Sequence, residues 1–174
     1  MNKRPVPTVV ITGTIGSGKT ALAADLGEVL ADRGRTAAVV DLDWLGWMAR
    51  PGGDHEDVEE LITRNLKAVW PNFIAAGADC FVLARVIQTR GHVDDLRRAL
   101  PDAEITIVRV TSSPETVAER LRKRDTGAIL EGHLKESLEF DAILEQARLE
   151  DHRVVNDDAL LRDVTLEVLE ALGW

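Results

Sequence analysis

The chain has one cysteine in 174 residues, Cys80, so no internal disulfide is open to it. It sits in the apolar run Cys80-Phe81-Val82-Leu83-Ala84, where a packed thiol is expected rather than a reactive one. A reducing cytoplasm is the compartment that fits. An excess of positive charge is also missing: 21 Lys and Arg stand against 30 Asp and Glu, a net charge of −9. That argues against a non-specific nucleic-acid binder, which presents a basic face, and leaves room only for a local basic pocket. No segment is long and apolar enough to span a bilayer. Met1-Asn2-Lys3-Arg4-Pro5 runs straight into the first strand without an apolar stretch of signal-peptide type. No internal repeat, low-complexity tract or linker interrupts the sequence. One domain over residues 1–174, with a substantial core, is the expectation.

What is present is concentrated near the N-terminus. Residues 13–20 read Gly-Thr-Ile-Gly-Ser-Gly-Lys-Thr, a full match to G-x-x-x-x-G-K-[ST]. Gly13, Gly16 and Gly18 permit backbone conformations that a side chain blocks. With Thr14, Ile15 and Ser17 they let successive N–H groups form an anion nest around phosphates. Lys19 reaches the outer phosphates as a point charge, and the Thr20 hydroxyl is suited to Mg²⁺. The β-branched run Thr8 to Thr12 precedes the loop, and a helix with Leu22, Leu26, Val29 and Leu30 at helical spacing follows it. Strand, glycine loop and helix is the context this pattern requires.

Further along, strands and helices alternate, which predicts a parallel sheet covered on both faces. Strands are expected at residues 36–40, 80–84, 105–110 and 153–156. Helices are expected at about 57–76, kinked or split by Pro71 and ended by Gly77, and at 93–100, 133–150 and 159–172. Another should open at Ser113 as N-cap with Pro114 in its first turn. Residues 125–132 read as a loop, placing a lid at about 120–135. In such sheets ligands sit beyond the carboxyl ends of the strands. After the second strand come Asp41 and Asp43, flanking one residue so that their side chains point the same way. Two carboxylates opposite a phosphate loop would serve a proton-accepting role and a Mg²⁺-holding role. Trp44 reads equally as the wall of an acceptor pocket or as core, and Trp47 reads as core. After the third strand, Arg85 is placed to hold an anionic group of an acceptor or to pair with Asp41 or Asp43. Arg90 is a weaker version of the same idea. Arg120 and Arg124 share a helix face and are suited to close over a transferring phosphoryl group. Arg122, Lys123 and the four histidines (His55, His92, His133, His152) read as surface, with His133 adjoining the lid.

These residues together carry a resemblance. The phosphate loop, Asp41-Leu42-Asp43 and the run Val108 to Arg124, which ends in an R-x-x-x-R pair, are similar to the P-loop small-molecule and nucleotide kinases. That group contains gluconate, shikimate, adenylylsulfate and nucleoside-monophosphate kinases. The resemblance spans essentially the whole chain. It implies a three-layer α/β fold with a five-stranded parallel sheet of order 2-3-1-4-5, and Mg-ATP as phosphoryl donor. It implies Asp43 as base for the acceptor hydroxyl and Asp41 near the waters of Mg²⁺. It also implies Arg120 and Arg124 on the phosphates, and Asn156, Asp157 and Asp158 near the adenine. The acceptor would be a small molecule or nucleotide, and the protein a monomer or homodimer. The Gly-Gly-Gly stretch of shikimate kinases after the third strand is absent, since Arg85-Val86-Ile87 stands there. A pocket of Trp44, Trp47 and Arg85 suggests a ring-bearing acceptor with an anionic group.

Three other readings compete. A nucleotide switch gains from Asp43-Trp44-Leu45-Gly46, which matches D-x-x-G. It loses because this follows the second strand at once and no N-K-x-D guanine signature occurs. A motor-type ATPase lacks its acidic residue at the end of the third strand. A degenerate nucleotide-binding module fits poorly with intact Lys19, Thr20 and Asp43.

Overall fold

The structure is a computed structural model that describes residues 5–48, 58–157 and 159–174. His55, Asp57 and Asp158 lie outside the described residues. The chain runs β1 (Val6–Thr12), α1 (Lys19–Asp32), β2 (Ala37–Asp41), α2 (Asp43–Gly46), α3 (Val58–Ala75) and β3 (Cys80–Ala84). It continues through α4 (Arg90–Ala99), β4 (Ala103–Thr111), α5 (Pro114–Arg124), α6 (Gly127–Ala147), β5 (His152–Val155) and α7 (Leu161–Leu172). The five strands form one parallel sheet in the order β2-β3-β1-β4-β5. Every residue of β3 is buried, which explains why it reads as a continuous apolar run and not as an alternating one.

Side chains alternate across each strand, so the sheet supplies two cores. On one face, Leu22 and Leu26 of α1 and Val164 and Val168 of α7 pack on Val9 and Ile11. On the other, Leu66 and Trp70 of α3 and Leu96 of α4 pack on Val10 and Phe81. Among the described residues, no helix is long and apolar enough to cross a membrane.

Three local expectations are corrected. Pro71 neither splits nor ends α3, which runs through it. Trp70 stacks on Phe81 with ring centroids 3.8 Å apart, and such packing offsets the roughly 3 kcal/mol that proline costs inside a helix. Residues 127–132 are helix rather than loop, so only Asp125 and Thr126 separate α5 from α6. Two anchors hold α6 in place. The Thr14 hydroxyl donates to the Ser137 carbonyl at 2.5 Å. Arg109, 1% exposed on β4, reaches Asp141 at 2.8 Å and Glu145 at 2.9 Å. Finally, the short helix α2 follows β2 directly, where no element was expected. Its first N–H, on Asp43, donates to Asp41 Oδ1 at 3.1 Å.

Candidate active site

The loop between β1 and α1 is fixed by its own hydrogen bonds and by the strands beneath it. Ser17 Oγ donates to the Thr14 carbonyl at 2.9 Å, which closes the turn. Gly18 has φ +97°, and a Cβ there would stand 2.5 Å from Asn156 Nδ2. A Cβ on Gly13 would stand 2.4 Å from the Val110 carbonyl. The loop therefore lies pressed onto the ends of β4 and β5. Lys19 folds back over it, and Nζ donates to the Thr14 carbonyl at 3.0 Å. Burial lowers the Lys19 pKa to about 8, against the pull of Asp43 and then Asp41, with Arg124 adding to the lowering.

The structure brings Thr20, Asp41 and Asp43 together at the end of β2. Thr20 Oγ1 donates to Asp41 Oδ2 at 2.7 Å. This pair fits Mg²⁺, which takes one or two carboxylates and completes its shell with phosphate oxygens and water. No group of three or more His, Cys, Asp or Glu suited to hold a metal occurs among the described residues. The Asp43 pKa is raised, first by burial of its carboxyl and then by Asp41, with Lys19 and Arg85 opposing. Its carboxylate is therefore a better proton acceptor than an exposed one.

A cavity of about 730 Å³ runs from the loop past Lys19 to Asp43. One half is lined by Gly18, Lys19, Thr20, Arg120, Arg124 and His133, and the other by Asp43, Trp47, Glu59, Arg85, Gln88 and His92. Phosphates and a second molecule would thus share one space.

The two arginines of α5 have different surroundings. Arg120 lies in the body of α5, not on a lid. It donates to Ser112 Oγ at 3.0 Å, the Asn156 carbonyl at 2.8 Å and the Ser17 carbonyl at 3.3 Å. Asn156 is itself buried and donates to Ser17 from Nδ2 at 2.9 Å. Asp157 Oδ1 accepts from the Ser113 amide at 2.6 Å. Arg120, Asn156 and Asp157 therefore brace the loop and the start of α5. Arg124, one turn on, makes a two-pronged contact with Asp125, both distances 2.9 Å. His133 reaches the same carboxylate at 2.8 Å. The Arg124 hydrogen bond, followed by that of His133, holds the Asp125 pKa down at about 2.

On the side of the cavity formed by Arg85, Glu59 and Trp47 the placements depart further from expectation. Arg85 is buried and pairs with Glu59 Oε1 at 2.5 Å, not with Asp41 or Asp43. Trp47 is 68% exposed and lines the cavity, which corrects its reading as core. Trp44 is 66% exposed and is not among the cavity-lining residues; it stacks on Trp47 with centroids 4.6 Å apart. Arg90 faces a separate cleft with Arg97 and Arg148. His92 and His133 both border the main cavity and are not plain surface. Sequence reasoning missed Glu59 altogether. It sits in the first turn of an amphipathic helix, where a carboxylate has the look of a solvated, dipole-favoured residue.

A family model described as an AAA domain matches residues 9–139. No curated protein matches the sequence. Among solved structures, a gluconokinase from Sinorhizobium meliloti 1021 is 23% identical, with a TM-score of 0.64 over 98% of this chain and 94% of that one. The tunicamycin resistance protein of Deinococcus radiodurans is 20% identical, with a TM-score of 0.66 over 96% and 95%. The APS kinase of Mycobacterium tuberculosis, solved with AMPPNP and APS, is 20% identical, with a TM-score of 0.65 over 99% and 100%. At these identities the shared feature is the fold, a kinase-like P-loop sheet with its helices.

Proposed function

The chain belongs to the AAA domain family, and from that premise we propose that it is a kinase, moving the γ-phosphoryl group of Mg-ATP to a hydroxyl of a small molecule. The observation that carries this reading is that one cavity is lined by Lys19 and Thr20 and also by Asp43, Trp47 and Arg85. A nucleotide switch or simple ATPase needs only the first half. Solved kinases of the same fold, such as the gluconokinase and APS kinase above, give the reading further support.

In this account the loop amides from Gly13 to Thr20 and the Lys19 ammonium hold the outer phosphates. Thr20 and Asp41 would hold Mg²⁺, which would supply positive charge to offset that of the phosphates. Asp43 accepts the proton of the acceptor hydroxyl. The acceptor oxygen forms its bond to the γ-phosphorus while the bond to the bridging oxygen breaks, and ADP leaves with that electron pair. Arg124 supplies positive charge beside the transferring group by exchanging its Asp125 partner for the phosphoryl oxygens. Arg120 keeps Ser17 and Asn156 in place, and the nucleotide base lies on the side of Asn156 and Asp157. The test is ADP release in the Lys19→Ala variant, which should fall to background. Full activity in that variant would refute the assignment.

A further inference from the structure

The acceptor half of the cavity carries its own charge pattern. Arg85, the one guanidinium there among the described residues, follows the buried strand β3 and is itself 8% exposed. Its charge is already matched by Glu59 at 2.5 Å. Glu59 Oε2 also lies 3.9 Å from His92 Nε2. Asp43 adds a second carboxylate to the same half. Lys19 in the same cavity offsets Asp43, so the charge of Arg85 is balanced by Glu59. The cavity is also lined by the exposed indole of Trp47, which packs against Trp44. An indole face takes the C–H face of a hydroxylated ring, or a cation, and gives an anion nothing.

We infer that Glu59 is a specificity-determining residue that, by occupying Arg85, restricts the acceptor to hydroxylated rings that carry no anionic group, neutral or amine-bearing. This deepens the kinase reading and rests on it for the word acceptor. It reverses the sequence-based suggestion of an anionic acceptor. That suggestion followed from Arg85 taken alone, since a lone buried guanidinium beside a substrate cavity selects a carboxylate or phosphate. With Glu59 attached, an entering anion meets like charge at short range, and such juxtaposition discriminates strongly.

The experiment measures binding rather than turnover, so that it stands apart from the kinase assignment. Methyl glucoside, glucosamine and glucuronate are matched six-membered rings that are neutral, cationic and anionic. Each is titrated into the full chain with a non-hydrolysable ATP analogue and Mg²⁺ present, read by tryptophan fluorescence and by calorimetry. The wild type should bind the neutral or amine ring at least about tenfold more tightly than the anionic one. Glu59→Gln keeps an oxygen for Arg85 and removes the charge. In it the preference should move toward glucuronate by about tenfold or more, with the melting temperature as a check on folding. Tighter binding of glucuronate by the wild type, binding of none of the three, or an unchanged ratio in Glu59→Gln would overturn the inference. Acceptor-independent ADP release, measured separately, would instead count against the kinase reading while leaving these binding results standing.

Discussion

Lys19 offers a sharp prediction because its charge is set by the loop it serves. In the free protein its pKa is lowered to about 8, chiefly by burial. Bound phosphates hold the ammonium charged, so they raise that pKa and nucleotide binding takes up a proton. The charged fraction of free Lys19 is about nine-tenths at pH 7 and about one-tenth at pH 9. Affinity for ATP should therefore fall by about tenfold between these pH values, or about 1.4 kcal/mol. Calorimetry in two buffers of different ionisation enthalpy counts the protons directly. Near pH 9 the uptake should approach one proton per nucleotide, and near pH 7 it should be small. Lys19→Met removes the titrating group, and its weaker affinity should be flat from pH 7 to pH 9. Equal wild-type affinity across that range, without proton uptake, would show that Lys19 either keeps its ordinary pKa in the free protein or does not contact the phosphates.

Other expectations concern single side chains. Asp43→Asn should lower kcat by about 10²–10⁴-fold and leave ATP affinity within a few-fold, because a base acts on the acceptor; equal losses in both would make Asp43 a nucleotide-holding residue. Asp41→Asn should raise the Mg²⁺ concentration needed for half-maximal activity while sparing metal-free nucleotide binding, as titration of Mg²⁺ at fixed ATP will show. Arg109→Leu should destabilise the fold by about 1–3 kcal/mol in denaturant melts, since it leaves Asp141 without its partner, leaves Glu145 with Arg153 alone and loosens α6; the solvent reaching those half-exposed carboxylates keeps the loss below that of a fully buried pair.

The fold was legible because a doubly covered parallel sheet writes its strands as apolar runs, as Cys80–Ala84 does. The turn between β1 and α1 was legible for a similar reason: the pattern from Gly13 to Thr20 puts glycine where the close approach to Val110 and Asn156 leaves no room for a Cβ. Where reading failed, the missing information lay in contacts distant along the chain. Gly127 and Gly132 look like breakers, yet α6 begins at Gly127 because Thr14 and Arg109, both remote in sequence, anchor it. Arg109 stands inside an otherwise apolar strand, a visible signal that a buried charge needs partners, but nothing local names Asp141 and Glu145. Arg85 was placed at the right edge, and its partner in the fold is Glu59 rather than Asp41 or Asp43. Glu59 comes from a helix 26 positions earlier, and its pairing is invisible until α3 packs on the sheet. Trp47 followed the rule that large aromatics are buried, and the rule gave way at the mouth of a cavity.

The central claim is that one cavity joins a phosphoryl donor to a separate acceptor. The most direct measurement is ADP release with Mg-ATP alone and then across a panel of hydroxyl-bearing metabolites, nucleosides and nucleotides. The account predicts a low acceptor-free rate, a large increase with one chemical class, and transfer of the γ-phosphoryl group to that molecule in stoichiometric balance with ADP. ADP release at the same rate whether or not any acceptor is present, with the phosphoryl group recovered only as inorganic phosphate, would contradict it.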